Sequence, residues 1–313
     1  PMLSWPLVSE SILYAKAKAS LKDEKIDFTI ITNGTIMTKS MINFIKDNNV
    51  NVSISFEIIE EIQNKQRGQY NQVVATIRNL IVHGVIPQIN STITCDNVER
   101  MVEMYHLLDT EFPEIRSMMF EPVTAAGLFP EAKDLSCFLQ IYTRNFLIVD
   151  SLAREKGRSL TSFPYLRTVF PTERACAGEF CLSAEGKLSG CYCITTPVDC
   201  SYDRCIYGEV SANTEGERIT VNKDVFEKLL NENVYSKAIC DKCCVKWNCG
   251  GGCFHLFNSY PQTYQDVFCD FTREYVRKII LNRFERLYKK RFGIVPRENI
   301  EEIKKSLTVL SVE

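Results

Sequence analysis

Apolar and polar positions in the first 125 residues switch between two periods. Residues 26–31 (IDFTII) form an apolar run that ends at the turn signal Thr32-Asn33-Gly34, as a strand does. Residues 38–48 have helical spacing, and 51–56 (NVSISF) alternate as a strand. Over 70–83, Val73, Val74, Ile77, Leu80 and Ile81 share one helical face, and Gly84 follows as a stop signal. Residues 86–93 and 115–120 read as strands, 96–108 as a helix, and 5–20 as a helix ahead of the first strand. Four strands joined by helices predict an α/β fold with a parallel sheet and ligands at the C-terminal strand ends. Four strands are few for a closed barrel. At roughly 30 residues per strand–helix unit, two further units would add about 60 residues, so the pattern predicts a barrel that lacks its first strands.

The pattern then changes. Residues 132–157 read as one long helix, and 176–270 are rich in Cys and Gly, with a hairpin expected at 180–192 around Gly186. Short helices are predicted over 222–231 and 232–239. Residues 270–290 predict a terminal helix whose Arg and Lys residues form a solvated face.

Composition narrows the classes. Hydrophobic residues are 45% and charged residues 24%, as in a soluble globular protein. A net charge of −2 gives no electrostatic case for nucleic acid. No apolar run reaches the length of a membrane span, and no signal-peptide pattern opens the chain. The unusual feature is 14 cysteines, of which all but Cys95 and Cys137 lie between Cys176 and Cys269. Those two isolated residues read as buried small hydrophobes. Disulfides are the secreted-protein alternative. Against them, the α/β half carries almost no cysteine, and the clustered ones fall at short ligand spacings.

Cys240-x2-Cys243-x5-Cys249-x3-Cys253 is followed by Cys269, and Cys176-x9-Gly186-x4-Cys191 lies upstream. A Cys-x2-Cys step lets two thiolates of one tight turn reach the same centre. Gly250-Gly251-Gly252 supplies a backbone that can fold closely around a bulky cofactor. Zinc would take Cys240, Cys243, Cys249 and Cys253 as a tetrahedral set, leaving Cys176, Cys191 and Cys269 without an evident second site. Two four-iron clusters need eight thiolates, which the seven and one neighbour supply. Cys244, adjacent to Cys243, reads as a bystander.

This cysteine pattern resembles the SPASM domain of radical S-adenosylmethionine (SAM) enzymes at all seven positions. The resemblance implies two auxiliary [4Fe-4S] clusters, one on Cys240, Cys243, Cys249 and Cys269 and the other on Cys176, Cys191 and Cys253. The fourth ligand of the latter is open among Cys181, Cys193, Cys200 and Cys205, or an iron left open for substrate. Cys181, closest to the hairpin, is the choice made here. The likeness extends through residues 1–125. Pro1 matches the Pro of the family's Gly-Gly-Glu-Pro segment. Thr32, Asn33 and Gly34 are similar to its Thr-Asn-Gly, Ser53 to Glu57 to a Ser-Leu-Asp-Gly strand end, and Arg67 to the Arg that follows. Glu57 and Ile58 stand where the family has Asp-Gly. The resemblance implies SAM bound by Thr32, Asn33, Gly34, Ser55, Glu57 and Arg67, with Ser55 and Glu57 on its ribose or amino group and Arg67 on its carboxylate.

The family's Cys-x3-Cys-x2-Cys, which binds the SAM-cleaving cluster, does not occur in residues 1–175. The expectation is therefore an N-terminally truncated radical SAM barrel over 1–130, a helical bridge over 131–170, a SPASM domain over 171–270 and a helical extension over 271–313. The third cluster is expected in a missing N-terminal segment, and this chain alone is expected not to cleave SAM. The implied parent activity is peptide or protein maturation through a 5′-deoxyadenosyl radical, such as ribosomal peptide crosslinking. It would draw electrons from a flavodoxin or ferredoxin in a reducing cytoplasm. Anaerobic sulfatase maturation is the alternative, and Tyr192 stands where that branch carries an Asp. An electron-transfer module and a zinc-stabilised peptide-binding module are the non-enzyme alternatives. Tyr192 is expected to pack, and His255 to pack or hydrogen-bond.

Overall fold

A computed structural model describes residues 1–175, 180–213 and 216–293. The chain divides into two compact units. The first comprises Pro1–Val123 and Phe138–Ser162, the second Thr124–Cys137 and the chain from Phe163 onward.

The first unit runs α1 (Trp5–Leu21), β1 (Thr29–Thr32), α2 (Lys39–Asp47), β2 (Asn51–Ser55), α3 (Glu60–Gln66), α4 (Tyr70–Val82), β3 (Gln88–Ile93), α5 (Met101–Glu111), β4 (Ser117–Pro122), α6 (Ala132–Glu155) and β5 (Ser159–Thr161). All five strands are parallel, in the spatial order β1-β2-β3-β4-β5, so strand order follows chain order with no reversal of winding. The expected helix over 38–48 forms because Thr38 caps α2, its hydroxyl accepting from the Met41 N–H at 3.3 Å. Met41, Ile42 and Ile45 then fall on the buried side. Val73, Val74, Ile77 and Leu80 of α4 are buried as their spacing predicts, and Gly84, at φ +79°, closes the helix end. In β3 and β4 burial alternates with period two: Ile89, Ser91 and Ile93, and Met118, Phe120 and Pro122, point inward. The opposite face carries Asn90, Thr92 and Glu121.

The sequence pattern missed β5, a three-residue strand too short to show a period, and α3, whose only apolar residue is Ile62. The two isolated cysteines differ from expectation. Cys95 lies in an exposed turn after β3, and Cys137 lies on an exposed face of α6. A free thiol's tendency to be buried yields to its position on the element.

The second unit contains α7 (Phe163–Val169), β6 (Cys181–Leu182), β7 (Lys187–Ser189), α8 (Tyr202–Cys205), β8 (Ile206–Asn213), β9 (Gly216–Val221), α9 (Lys223–Asn231), α10 (Lys246–Cys249), α11 (Phe254–Ser259) and α12 (Gln262–Phe292). Its sheet is antiparallel, ordered β6-β7-β8-β9. The hairpin around Gly186 is present. Gly186 sits at φ +78°, and a Cβ there would lie 2.8 Å from the Val210 carbonyl oxygen. The helix over 222–231 forms behind an Asn222 cap that accepts from the Val225 N–H. The helix expected over 232–239 does not form. Asn233 Oδ1 accepts from the Tyr235 N–H at 2.8 Å, and the Ser236 hydroxyl donates to the Asn233 carbonyl at 2.9 Å. Those side chains satisfy the backbone in a turn, leaving a single 3-10 turn at Ala238–Cys240. α12 starts earlier than predicted, directly after Pro261, so Cys269 sits on the helix itself. Residues of the helical extension beyond 293 lie outside the described residues.

Candidate functional site

In the second unit, Cys240, Cys243, Cys249 and Cys269 line one cavity with Gly251, Phe257, Thr272 and Arg273. The elements explain the convergence. Cys240 ends the 3-10 turn, and the Cys243 N–H donates back to its carbonyl, closing the tight Cys-x2-Cys bend. Cys249 ends α10, whose C-cap is Gly250 at φ +63°. Cys269, Thr272 and Arg273 follow at i, i+3 and i+4, which presents them together from α12. Burial pushes the Cys249 thiol up, with the Arg167 charge opposing. Burial, and then the neighbouring Cys249, pushes Cys269 up to about 11. The side chain of Arg273 hydrogen-bonds Cys243, so cationic groups stand beside thiols that would be anionic as ligands.

The glycine loop does what its composition suggests. A Cβ on Gly250 would lie 2.5 Å from the backbone of Arg174 and Ala175, and one on Gly252 would overlap the Phe257 ring. The close approach lets the Ala175 N–H donate to the Gly250 carbonyl at 2.7 Å, while the Thr172 N–H donates to Trp247. The chain leading to Cys176 is thereby tied alongside residues 247–250. Cys176 itself lies outside the described residues.

A second cavity is lined by Cys191, Cys205, Tyr207, Phe226, Leu229 and Phe254, with Gly252 also on its wall. Cys191, Ile194 and Cys205 pack together there. Cys253, between Gly252 and Phe254, acts electrostatically on both Cys191 and Cys205. Burial pushes Cys191 and Cys205 up to about 12 each. Cys181 is not among the described residues of this wall. It lies on β6 opposite Ser189, next to Tyr207. Cys244 and Tyr192 are exposed. His255 Nδ1 is 3.3 Å from the Ser259 hydroxyl. No three His, Cys, Asp or Glu side chains among the described residues converge on a point as one bound ion requires. The four thiols of the cavity at Cys240 suit a thiolate-held centre of the soft-metal kind, whereas the cavity at Cys191 and Cys205 also carries the Glu232 carboxylate and Lys237 on its wall.

In the first unit, the residues implied for SAM gather at the C-terminal strand ends. Thr32 closes β1 and its hydroxyl accepts from the Gly34 N–H at 3.3 Å. Asn33 Oδ1 accepts from the Thr35 N–H and hydroxyl. Gly34 has φ +74°, and a Cβ would lie 3.1 Å from Ile54 and 3.2 Å from Val73. Ser55 ends β2. Glu57 and Arg67 meet each other. Arg67 Nε donates to Glu57 Oε1 at 2.7 Å, the Thr92 N–H donates to Glu57 Oε2 at 3.0 Å, and Arg67 also donates to the Thr92 hydroxyl. Glu57 is fully buried, and burial raises its pKa against the opposing pull of Arg67 and Thr92. The carboxylate therefore orients Arg67 instead of presenting itself to a ligand. In the same sheet, Ser53 Oγ and Asn90 Oδ1 are buried with no hydrogen-bond partner. Such orphaned polar atoms, on the middle residues of β2 and β3, fit a polar ligand. Sequence reasoning missed Thr92, Asn90, Arg273 and the cavity role of Cys205. The polar phase of the alternation over 86–93 was the available signal for Asn90 and Thr92.

The fold is that of a class of enzymes with solved structures. The chain superposes on native anSMEcpe, an anaerobic sulfatase-maturing enzyme, with bound AdoMet and the Kp18Cys peptide at a TM-score of 0.66 and 18% identity, covering 90% of this chain and 82% of that one. Native anSMEcpe with bound AdoMet gives 0.65 at 18% identity, with 90% and 82% covered. The form with AdoMet and the Cp18Cys peptide gives 0.62 at 18% identity, with 87% and 80% covered. No protein-family model matches the chain, and no curated protein sequence does. Among the described residues no helix is long and apolar enough to cross a membrane.

Proposed function

We propose that the chain is the SAM-facing sheet and auxiliary-cluster unit of a radical SAM maturase that acts on a peptide or protein. The observation that carries this reading is the cavity walled by Cys240, Cys243, Cys249 and Cys269. On this reading those four thiolates hold one [4Fe-4S] cluster, and Cys191 and Cys253, with Cys176, hold another. The chemistry such groups supply when bound is hydrogen abstraction from substrate by a SAM-derived radical, with iron–sulfur centres carrying electrons. The chain's own residues position and exclude. Glu57 and Thr92 hold Arg67 for an anionic ligand group. Thr32, Asn33 and Gly34 shape the turn at the end of β1. Ser53 and Asn90 offer unused acceptors.

Peptide substrates accord with the peptides named for the anSMEcpe structures. That likeness favours sulfatase maturation, whereas Tyr192 in place of Asp favours peptide crosslinking. Anisotropy titrations with a labelled Cys-containing sulfatase peptide and a labelled cysteine-rich precursor separate the two. The reading places the protein in a reducing cytoplasm, with a flavodoxin or ferredoxin as electron donor. No Cys-x3-Cys-x2-Cys occurs in the sequence, so the chain by itself is expected to release no 5′-deoxyadenosine from SAM.

The deciding experiment is anaerobic reconstitution with ferrous iron and sulfide, followed by metal analysis. About eight iron and about eight sulfide per chain are expected for two four-iron clusters. Near-zero iron with stoichiometric zinc would overturn the reading in favour of a zinc-stabilised module.

A further inference from the structure

Arg273 stands on the wall of the four-thiol cavity, and nothing in the cysteine spacing calls for a cation there. Resting on the auxiliary-cluster reading above, we propose that Arg273 tunes the reduction potential of the centre held by Cys240, Cys243, Cys249 and Cys269, making that centre easier to reduce.

Three observations carry this. The first is placement. Cys269 and Arg273 lie one turn apart on α12, so the helix that delivers the fourth thiol delivers the guanidinium with it. The second is contact. The Arg273 side chain hydrogen-bonds Cys243, a thiol supplied by the separate Cys-x2-Cys bend. The third is burial. The Arg273 side chain is 35% exposed, so water screens its charge only in part. Asp270 pairs with the same guanidinium at i,i+3 spacing, from a position 75% exposed. A carboxylate so open to water orients the group and offsets little of its charge at the thiols.

Two other side chains on this wall carry donors, and both are engaged. The Thr272 hydroxyl donates to the Phe268 carbonyl at 2.8 Å, and Lys246 Nζ donates to the Asp241 carbonyl at 3.4 Å. The sign of the effect follows from charge. Four thiolates make the bound cluster anionic, and reduction by one electron from a low-potential donor adds a further negative charge. A guanidinium hydrogen-bonded to a ligand sulfur stabilises the reduced form more than the oxidised form, which raises the potential.

The test is an EPR-monitored titration of the anaerobically reconstituted chain with dithionite. Wild type is compared with Arg273→Met, Arg273→Gln and Arg273→Lys. Arg277→Met is the control, since Arg277 is a cation of α12 that pairs with Glu274. The signal of this centre is the one that Cys240→Ala/Cys243→Ala removes. At the wild-type midpoint, the two neutral variants are expected to shift the oxidised-to-reduced ratio about tenfold toward oxidised, a fall of about 59 mV for a one-electron couple. Arg273→Lys keeps the charge and is expected to lie between them and wild type, and Arg277→Met to match wild type. Iron content is expected to be unchanged in all four arginine variants. A neutral variant that keeps both its iron and the wild-type midpoint overturns the proposal, as does an equal fall in Arg277→Met. Loss of this centre's iron from both neutral variants also overturns it, by assigning Arg273 to holding the site together. A wild type that takes up no iron sinks the cluster reading itself, a result distinct from these.

Discussion

In the first unit the sheet and its helices bury Ile42, Ile45, Ile54, Ile77, Leu80 and Ile89 completely, whereas in the second unit α9, α10 and α11 bury no residue fully. The second unit buries Leu188, Ile194 and the α12 residues Tyr275, Val276 and Ile279, and beside them it walls two cavities with thiols. Apolar side chains packed at crystal-like density hold an element without help. Thiols around a cavity contribute little until something binds them, after which the binding free energy becomes folding free energy. The two units thus share one chain but rest on different terms.

The sharpest way to break that comparison is to remove the clusters. In the loaded protein, chelation under mild oxidation is expected to abolish hydrogen-exchange protection through β6–β9 and α10 while leaving β1–β4 protected. Equal loss in both units would show that the first does not stand on its apolar core. Next in size is Ile77→Ala, which leaves a cavity beneath α4 and is expected to cost about 3 kcal/mol by urea unfolding, with iron content unchanged. A fall in iron would couple the units in a way the comparison denies.

Gly250→Ala should act oppositely. Its Cβ meets the Arg174 and Ala175 backbone at 2.5 Å, and its φ of +63° disfavours a side chain. A loss of roughly 1–3 kcal/mol is expected, together with weaker iron retention. A variant that loads and melts like wild type would show that the loop has room.

A further test is pH. Burial holds Cys191 and Cys205 at about 12 in the cluster-free fold, whereas an exposed thiol titrates near about 8.5. The unfolded chain loses these protons first. Cluster-free stability is therefore full below about pH 8.5 and declines as pH rises toward 12. Urea midpoints at pH 8 and pH 10 under reductant measure the decline, and Cys205→Ser should flatten it. An unflattened slope would assign the effect to other groups.

The elements of the first unit were readable because helix and strand periods leave separate marks. Val73, Val74, Ile77 and Leu80 announce α4, and the alternation over 86–93 announces β3. Where no period has room to develop, as in β5 and α8, the pattern was silent. The hairpin β8–β9 was also missed, although the alternation YGEVSAN was its signal. At 232–239 the composition suggested a helix, and the side chains of Asn233 and Ser236 made a turn instead.

The sequence by itself determined the parallel α/β half, the cysteine spacings and the turn glycines, because these follow from periodicity and from local backbone rules. Only the tertiary structure decided that Glu57 serves Arg67, that Ser53 and Asn90 keep unused polar atoms, and that Cys205 and not Cys181 walls the cavity beside Cys191. Those facts depend on strand register and on which side chains meet across 10 to 50 residues of chain, as Arg67 meets Glu57 across 10. Spacing along a sequence carries no record of such meetings, since folding sets them through packing and pairing between separate elements.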